Sequence, residues 1–229
     1  MLAPDCLARY TPEGKEMPDL PYSDQRYSSL EAVAFVRAGA IPPGAALREG
    51  DILVADAGSG PWAGKGSLWR VRLDNNGPLE LLTEDELLSA PVDVAVNIRG
   101  VYLFNRNKGF TGATPEPVDD LTRRVIRWDG SRLIRCQLSE PVRDPSALVA
   151  APDSSGVLYA AEGSSGPMSH ASQRVLKLTP AREPDSFTLT EIATHFGKLY
   201  GGALAIHPDG SLLAVTDHEK KRIFILRQK

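Results

Sequence analysis

Ile52-Leu53-Val54-Ala55-Asp56 is a short apolar run that stops on a carboxylate. The chain repeats the phrase three times, as Val101-Tyr102-Leu103-Phe104-Asn105, Leu158-Tyr159-Ala160-Ala161-Glu162 and Leu213-Ala214-Val215-Thr216-Asp217. The copies begin roughly 49, 57 and 55 residues apart, which is the spacing of propeller blades. A run of five that ends on Asp, Asn or Glu is too short for a helix and suits a buried strand.

The surroundings of each run recur too. A small-residue strand precedes it: Gly44-Ala45-Ala46-Leu47, Asp93-Val94-Ala95-Val96, Ala147-Leu148-Val149-Ala150 and Ala203-Leu204-Ala205-Ile206. A tight polar turn follows that strand, at Glu49-Gly50-Asp51, Ile98-Arg99-Gly100, Asp153-Ser154-Ser155-Gly156 and Pro208-Asp209-Gly210, with the residue types hairpins require. After the anchor run comes a third strand of period two: Val71-Arg72-Leu73, Ile126-Arg127-Trp128, Leu176-Lys177-Leu178 and Phe224-Ile225-Leu226. A fourth is visible at Leu79–Leu82, Arg132–Arg135 and Phe187–Thr190.

This order predicts an all-β fold, a β-propeller of four-stranded antiparallel blades with about four blades present. Innermost strands converge on an axis and need small side chains, whereas outer strands splay and accommodate Trp69 or Trp128; stacking buries both faces of each sheet. A β-sandwich also needs alternating strands, but not the same turn chemistry four times over. The expected organisation is one domain over residues 1–229. Residues 1–40 form a partial blade and connector, and blades follow at 41–89, 90–143, 144–200 and 201–229.

The two ends do not mesh. Leu7–Gly14 resembles a third strand and its turn, with Arg9 in the slot of Arg72, Arg127 and Lys177, while Arg222–Lys229 is a third strand with no fourth after it. Either the first segment completes the last blade of a small ring, or the chain is an incomplete segment of a larger one; the blade length favours the second reading. Open terminal blades expose strand edges, which invite self-association.

Composition sets further bounds. A chain of 229 residues buries about 70% of its extended surface, enough for a core without metal or disulfide staples. Cys6 and Cys136 lie far apart; a bridge between them is one reading, and two thiols in a reducing compartment is the preferred one. With a net charge of −3 and dispersed basic residues, no nucleic-acid footprint is present. No apolar run has membrane-crossing length, so no membrane partner is expected. The start lacks the features of a secretory signal, which gives a cytoplasmic expectation by default, or a periplasmic or secreted one should the chain belong to a longer protein.

Ala203–Leu226, reading ALAIHPDGSLLAVTDHEKKRIFIL, resembles the repeat of NHL and SMP-30/gluconolactonase-like propellers, in which GLAxxPDGxLYVTDxxxxRI recurs. Gly44–Leu73 and Ala147–Leu178 are similar more loosely, and Val92–Trp128 is the most divergent copy. The resemblance implies a six-bladed type of propeller that hosts both binding modules and sugar lactonases. The lactonases hold a divalent cation, such as calcium, at the channel mouth with a carboxylate, an Asn from a PN dipeptide opening a blade, and an Asp. The blade openings here contain no such Asn. Asp93, Asp144 and Asp217 are the oxygen donors the resemblance offers for a metal, and the full ligand set does not carry over. A binding or scaffold module without cofactor is therefore the first expectation, and a cation-dependent sugar-lactone hydrolase the alternative.

The loops after the anchor runs vary most, and such loops on a rigid scaffold are where recognition sits. They supply Trp62 and Lys65, Phe110, and Met168 with His170 as candidate contacts for a small molecule or a protein. Gly64-Lys65 is no phosphate loop, because Ser59 stands where that motif wants glycine and Gly66 follows the lysine. The four histidines lack zinc-ligand spacing. Asp56, Asn105, Glu162 and Asp217 recur in every unit, which fits a side-chain oxygen accepting bonds from backbone N–H groups of its own following loop better than a single ligand site.

Overall fold

A computed structural model of the chain describes residues 9–10, 13–17, 30–57, 65–72, 79–105, 124–163, 173–197, 199 and 204–227. Two short strands, β1 (Arg9–Tyr10) and β2 (Glu16–Met17), pair as an isolated antiparallel ladder. The first four-stranded sheet runs β3 (Leu30–Phe35), β4 (Ile52–Asp56), β5 (Gly66–Val71) and β6 (Glu80–Asp85) in spatial order. A single 3-10 turn, Glu86–Leu88, leads to the second sheet: β7 (Pro91–Asn97), β8 (Gly100–Asn105), β9 (Val125–Trp128) and β10 (Leu133–Arg135). A two-residue strand, β11 (Gln137–Leu138), comes next. The third sheet contains β12 (Pro145–Ala150), β13 (Leu158–Glu162), β14 (Arg174–Pro180) and β15 (Ser186–Ala193), and β11 joins its outer edge in parallel. The last sheet holds β16 (Leu204–Ile206), β17 (Leu212–Asp217) and β18 (Arg222–Arg227).

The sheets meet through their first strands: β7 packs on β3 and β4, β12 on β7 and β8, and β16 on β12 and β13. This is the radial arrangement of a β-propeller, with the small residues Ala32, Ala34, Ala95 and Ala147 on the innermost strands. Each seam has its own core. Leu53, Leu68, Val94, Leu103 and Trp128 fill the first; Tyr102, Phe104, Leu148, Leu158 and Leu176 fill the second; Tyr159, Val175, Leu213 and Val215 fill the third. The rings of Tyr102 and Phe187 meet edge to face across the second seam with centroids 5.8 Å apart, and those of Phe196 and Phe224 do so in the third at 5.3 Å. Each such buried side chain contributes roughly 1.5–3 kcal/mol, so the seams carry much of the fold's stability.

The repeat extends to an irregularity the sequence does not display. Leu30 pairs with Asp56, Pro91 with Asn105 and Pro145 with Glu162, and in all three blades the register slips by one residue immediately afterwards. A bulge at the same place in three sheets bends each innermost strand where its blade begins.

Two strands differ from expectation. Gly44–Leu47 is loop, and β3 opens the first blade instead. Gly44 takes φ +82°, which breaks an extended run; Ala45 N–H bonds Pro42 at 3.2 Å, and the buried Arg70 guanidinium donates to the Ala46 carbonyl. The hairpin from β3 to β4 is closed beneath this loop, by Val36 N–H to Asp51 and Gly50 N–H to Val36, both at 2.9 Å. The third strand of the first blade is Gly66–Val71, earlier in the chain than Val71–Leu73. No helix among the described residues is long and apolar enough to cross a membrane.

Candidate functional site

The first strands of all four sheets surround a central cavity of about 390 Å3. Its lining residues are mostly small and apolar, Val96, Val149 and Ala205 among them, but polar atoms supply about half of the surface, and its charged groups are Arg37, Asp93 and Asp153. Asp93 lies near the end of the blade where the anchor runs stop, opposite Phe104 in the ladder. Arg37 and Asp153 follow the far ends of β3 and β12, so they sit at the other mouth. The cavity thus carries a lone carboxylate at one end and a mixed pair at the other.

Asp93 is the most perturbed carboxylate in the cavity. Its Oδ1 accepts the Val94 N–H at 2.8 Å and its Oδ2 accepts the Leu148 N–H at 2.7 Å. Burial pushes its pKa up to about 6, and the two backbone bonds only partly oppose that rise. Asp153 is exposed, and the Ser155 hydroxyl and N–H hold its carboxyl below the usual range.

The polar residues that end the anchor runs brace the blades. Asn105 Nδ2 donates to the Leu87 carbonyl at 3.0 Å, in the segment entering β7. Glu162 Oε1 accepts the Arg143 N–H at 3.1 Å, just before β12, and its Oε2 takes Arg174 Nε at 2.7 Å. Asp217 Oδ2 accepts the Gly197 N–H at 2.6 Å, ahead of β16, and its Oδ1 accepts Lys220 N–H at 2.9 Å. In these three blades the side chain at the end of the second strand ties down the chain that enters the first strand, leaving that entry segment's backbone paired. Asp56 is equally buried at the equivalent position.

Of the residues singled out for a metal, Asp93 borders the cavity, Asp144 stands half-buried directly before β12, and Asp217 is buried under its two backbone bonds. All three occupy the anchor end of their blades. Among the described residues no three His, Cys, Asp or Glu side chains converge as a cation site. Of the loop candidates Lys65 is exposed at the start of β5, whereas Trp62, Phe110, Met168 and His170 lie outside the described residues. Sequence reasoning missed Arg37 and Asp153 as cavity residues; the Asp-Ser-Ser-Gly turn after β12 was visible, but nothing local told which mouth it bordered.

No family model matches the chain, and no curated protein does. Solved structures do. A protein from Bacteroides uniformis described as a "putative 6-phosphogluconolactonase" aligns with a TM-score of 0.57 at 14% identity, over 98% of this chain and 60% of that one. A second so described, from Bacteroides fragilis, gives 0.52 at 14%, over 97% and 60%. Hydrazine synthase from Kuenenia stuttgartiensis gives 0.60 at 13%, over 97% and 58%. The chain therefore spans about 60% of the length of the structures it matches. At such identities the likeness concerns architecture, and together with the blade topology it shows an all-β propeller.

Proposed function

We propose that the chain is a binding or scaffold propeller of the NHL/SMP-30-like kind, which takes a small polar ligand in its central cavity and contacts partners through the loops after the second strands. One observation supports this reading: the recurring carboxylates and amide are engaged in bracing blade entries, while a partly open cavity of about 390 Å3 between the first strands keeps Arg37, Asp93, Asn97 and Asp153 on its lining. That size falls within the range of small-molecule sites. The test is a thermal-shift screen with sugars, sugar phosphates and sugar lactones, repeated on Ala205→Trp, which fills the cavity. A stabilisation lost in the variant supports the reading, and a screen without any stabilisation counts against it.

The second reading, a lactone hydrolase, draws on the likeness to two structures described as "putative 6-phosphogluconolactonase". Asp93 is the base this chain offers. Each carboxylate oxygen has two lone pairs, so its backbone bonds leave one free on each. Water would add to the lactone carbonyl as Asp93 takes its proton, and the ring C–O bond then breaks with return of that proton to the leaving oxygen. Calorimetric titration with calcium, alongside a lactone-opening assay, separates the readings. Saturable calcium binding at one site together with turnover overturns the module, and absence of both removes the enzyme.

A further inference from the structure

Resting on the cavity-binding reading above, we propose that the ligand of the central cavity is a short extended peptide. Its ammonium group lies at Asp93 and its carboxylate at Arg37, and its peptide groups bond to the main chain of the innermost strands. About half of the cavity surface is polar, yet among the described lining residues only Arg37, Asp93, Asn97 and Asp153 bring polar side chains. The main chain supplies the rest.

Bonds at the hairpin ends identify the peptide groups concerned. Ala151 N–H donates to the Val157 carbonyl and His207 N–H to the Leu212 carbonyl, both at 2.9 Å, and the two-residue turn after Asn97 pairs that residue with Gly100. In an antiparallel ladder, residues alternate between turning their N–H and C=O toward the partner strand and turning them away. The residues one and three before each of these bonded positions therefore face the cavity: Val96 and Val94 on β7, Ala150 and Leu148 on β12, Ile206 and Leu204 on β16. Val36, bonded to Asp51, sets the same phase for Phe35 on β3. The Asp93 carboxylate agrees with this count, because the two N–H groups it accepts, of Val94 and Leu148, both belong to the set. The remaining inward N–H and C=O groups have no partner among the described residues.

Inward groups recur at every second residue, about 7 Å apart, which is the repeat of an extended peptide. Such a peptide adds to a strand edge through main-chain bonds. Charge sets its direction. Asp93 keeps a lone pair free on each oxygen for an ammonium group. At the other mouth Arg37 is exposed and makes no ion pair among the described residues, while Asp153 already accepts the Ser155 N–H and hydroxyl. Asp93 and Ala32 hold equivalent places, each one residue past its bulge, so Arg37 stands five strand residues further along the axis, about 16 Å. Less the reach of the two side chains, that span accommodates roughly three extended residues. The peptide runs parallel to β7 and β12.

Calorimetric titration of the full chain with tri-alanine, its N-acetyl form and its C-terminal amide tests this. Tri-alanine is expected to bind, and each blocked form to bind at least about tenfold more weakly. Arg37→Gln should lose the preference for the free carboxylate and keep that for the free amine, and Asp93→Asn should do the reverse. Circular dichroism checks that Arg37→Gln, at an exposed position, stays folded. Tri-alanine that binds equally well with either end blocked overturns the inference. So does absence of peptide binding where a sugar stabilises the wild type and not Ala205→Trp, a result that leaves the cavity reading standing. Failure of every ligand overturns both.

Discussion

The Asp93 carboxylate accepts the backbone N–H of Leu148 at 2.7 Å, joining the innermost strand of the second blade to that of the third. The bond crosses the seam at the cavity wall, where burial makes the charged form of Asp93 costly.

Stability should therefore fall as pH rises through the acid range. Unfolded, Asp93 titrates near 3.8; folded, at about 6, so between these values the folded chain holds a proton the unfolded one has lost. Below the lower value the two states are equally protonated, and above the upper one the cost of the buried charge is fully present, on the order of 3 kcal/mol. Urea unfolding of the wild type and Asp93→Asn at pH 4 to 7 measures this. The expected result is a wild-type decline that the variant flattens.

Glu162→Ala should destabilise the third blade by about 3 kcal/mol, because it strips Arg174 of a buried partner and leaves the Arg143 N–H unpaired. Glu162→Gln keeps an acceptor for one of the two and should cost less. Chemical denaturation gives both values.

Gly66→Ala tests a close approach. A Cβ there would stand 1.8 Å from the Leu88 carbonyl oxygen, so the 3-10 turn has to shift, at a cost on the order of 3 kcal/mol. Gly50→Ala meets no atom within 4 Å but holds φ +86°, and should cost about 1 kcal/mol from backbone strain alone. Thermal melts of the pair should rank them in that order.

Cys136 should resist alkylation in the folded chain. It is fully buried, and burial pushes its thiol up to about 12. Peptide mapping after iodoacetamide treatment is expected to find it modified only as denaturant is added, whereas fast labelling in buffer contradicts the burial.

The sequence displayed the anchor strands because each is a short apolar run with a polar stop, a local signal that survives divergence. It concealed β3. Sixteen residues, Val36 to Asp51, separate that strand from its partner, and Gly44–Leu47 mimics the small-residue strand expected there. Glu49–Asp51 does form a turn, as its residue types imply, but it closes onto Val36 across that whole loop. The structural role of Asn105, Glu162 and Asp217 is legible as repetition, but the expected target, each residue's own following loop, holds only for Asp217 with Lys220; the bracing partners lie from 18 to 20 residues earlier in the chain. Cavity membership was hidden for Arg37 and Asp153, as it depends on how four sheets fan about an axis.

At Cys136 the chain leaves the outermost strand of the second blade and, one residue later, becomes the outermost strand of the third, where Gln137 and Leu138 lie alongside Ser186 and Phe187. Neither blade can peel away without tearing this stitch, together with the Gln137 bond to Asp185 and the Ser139 bond to Phe187. The middle of the molecule should accordingly open as one cooperative unit in native-state hydrogen exchange, with the amides of β13 and β8 sharing a single opening free energy. The three-stranded last sheet has no such tether from its predecessor among the described residues, and its amides should exchange first.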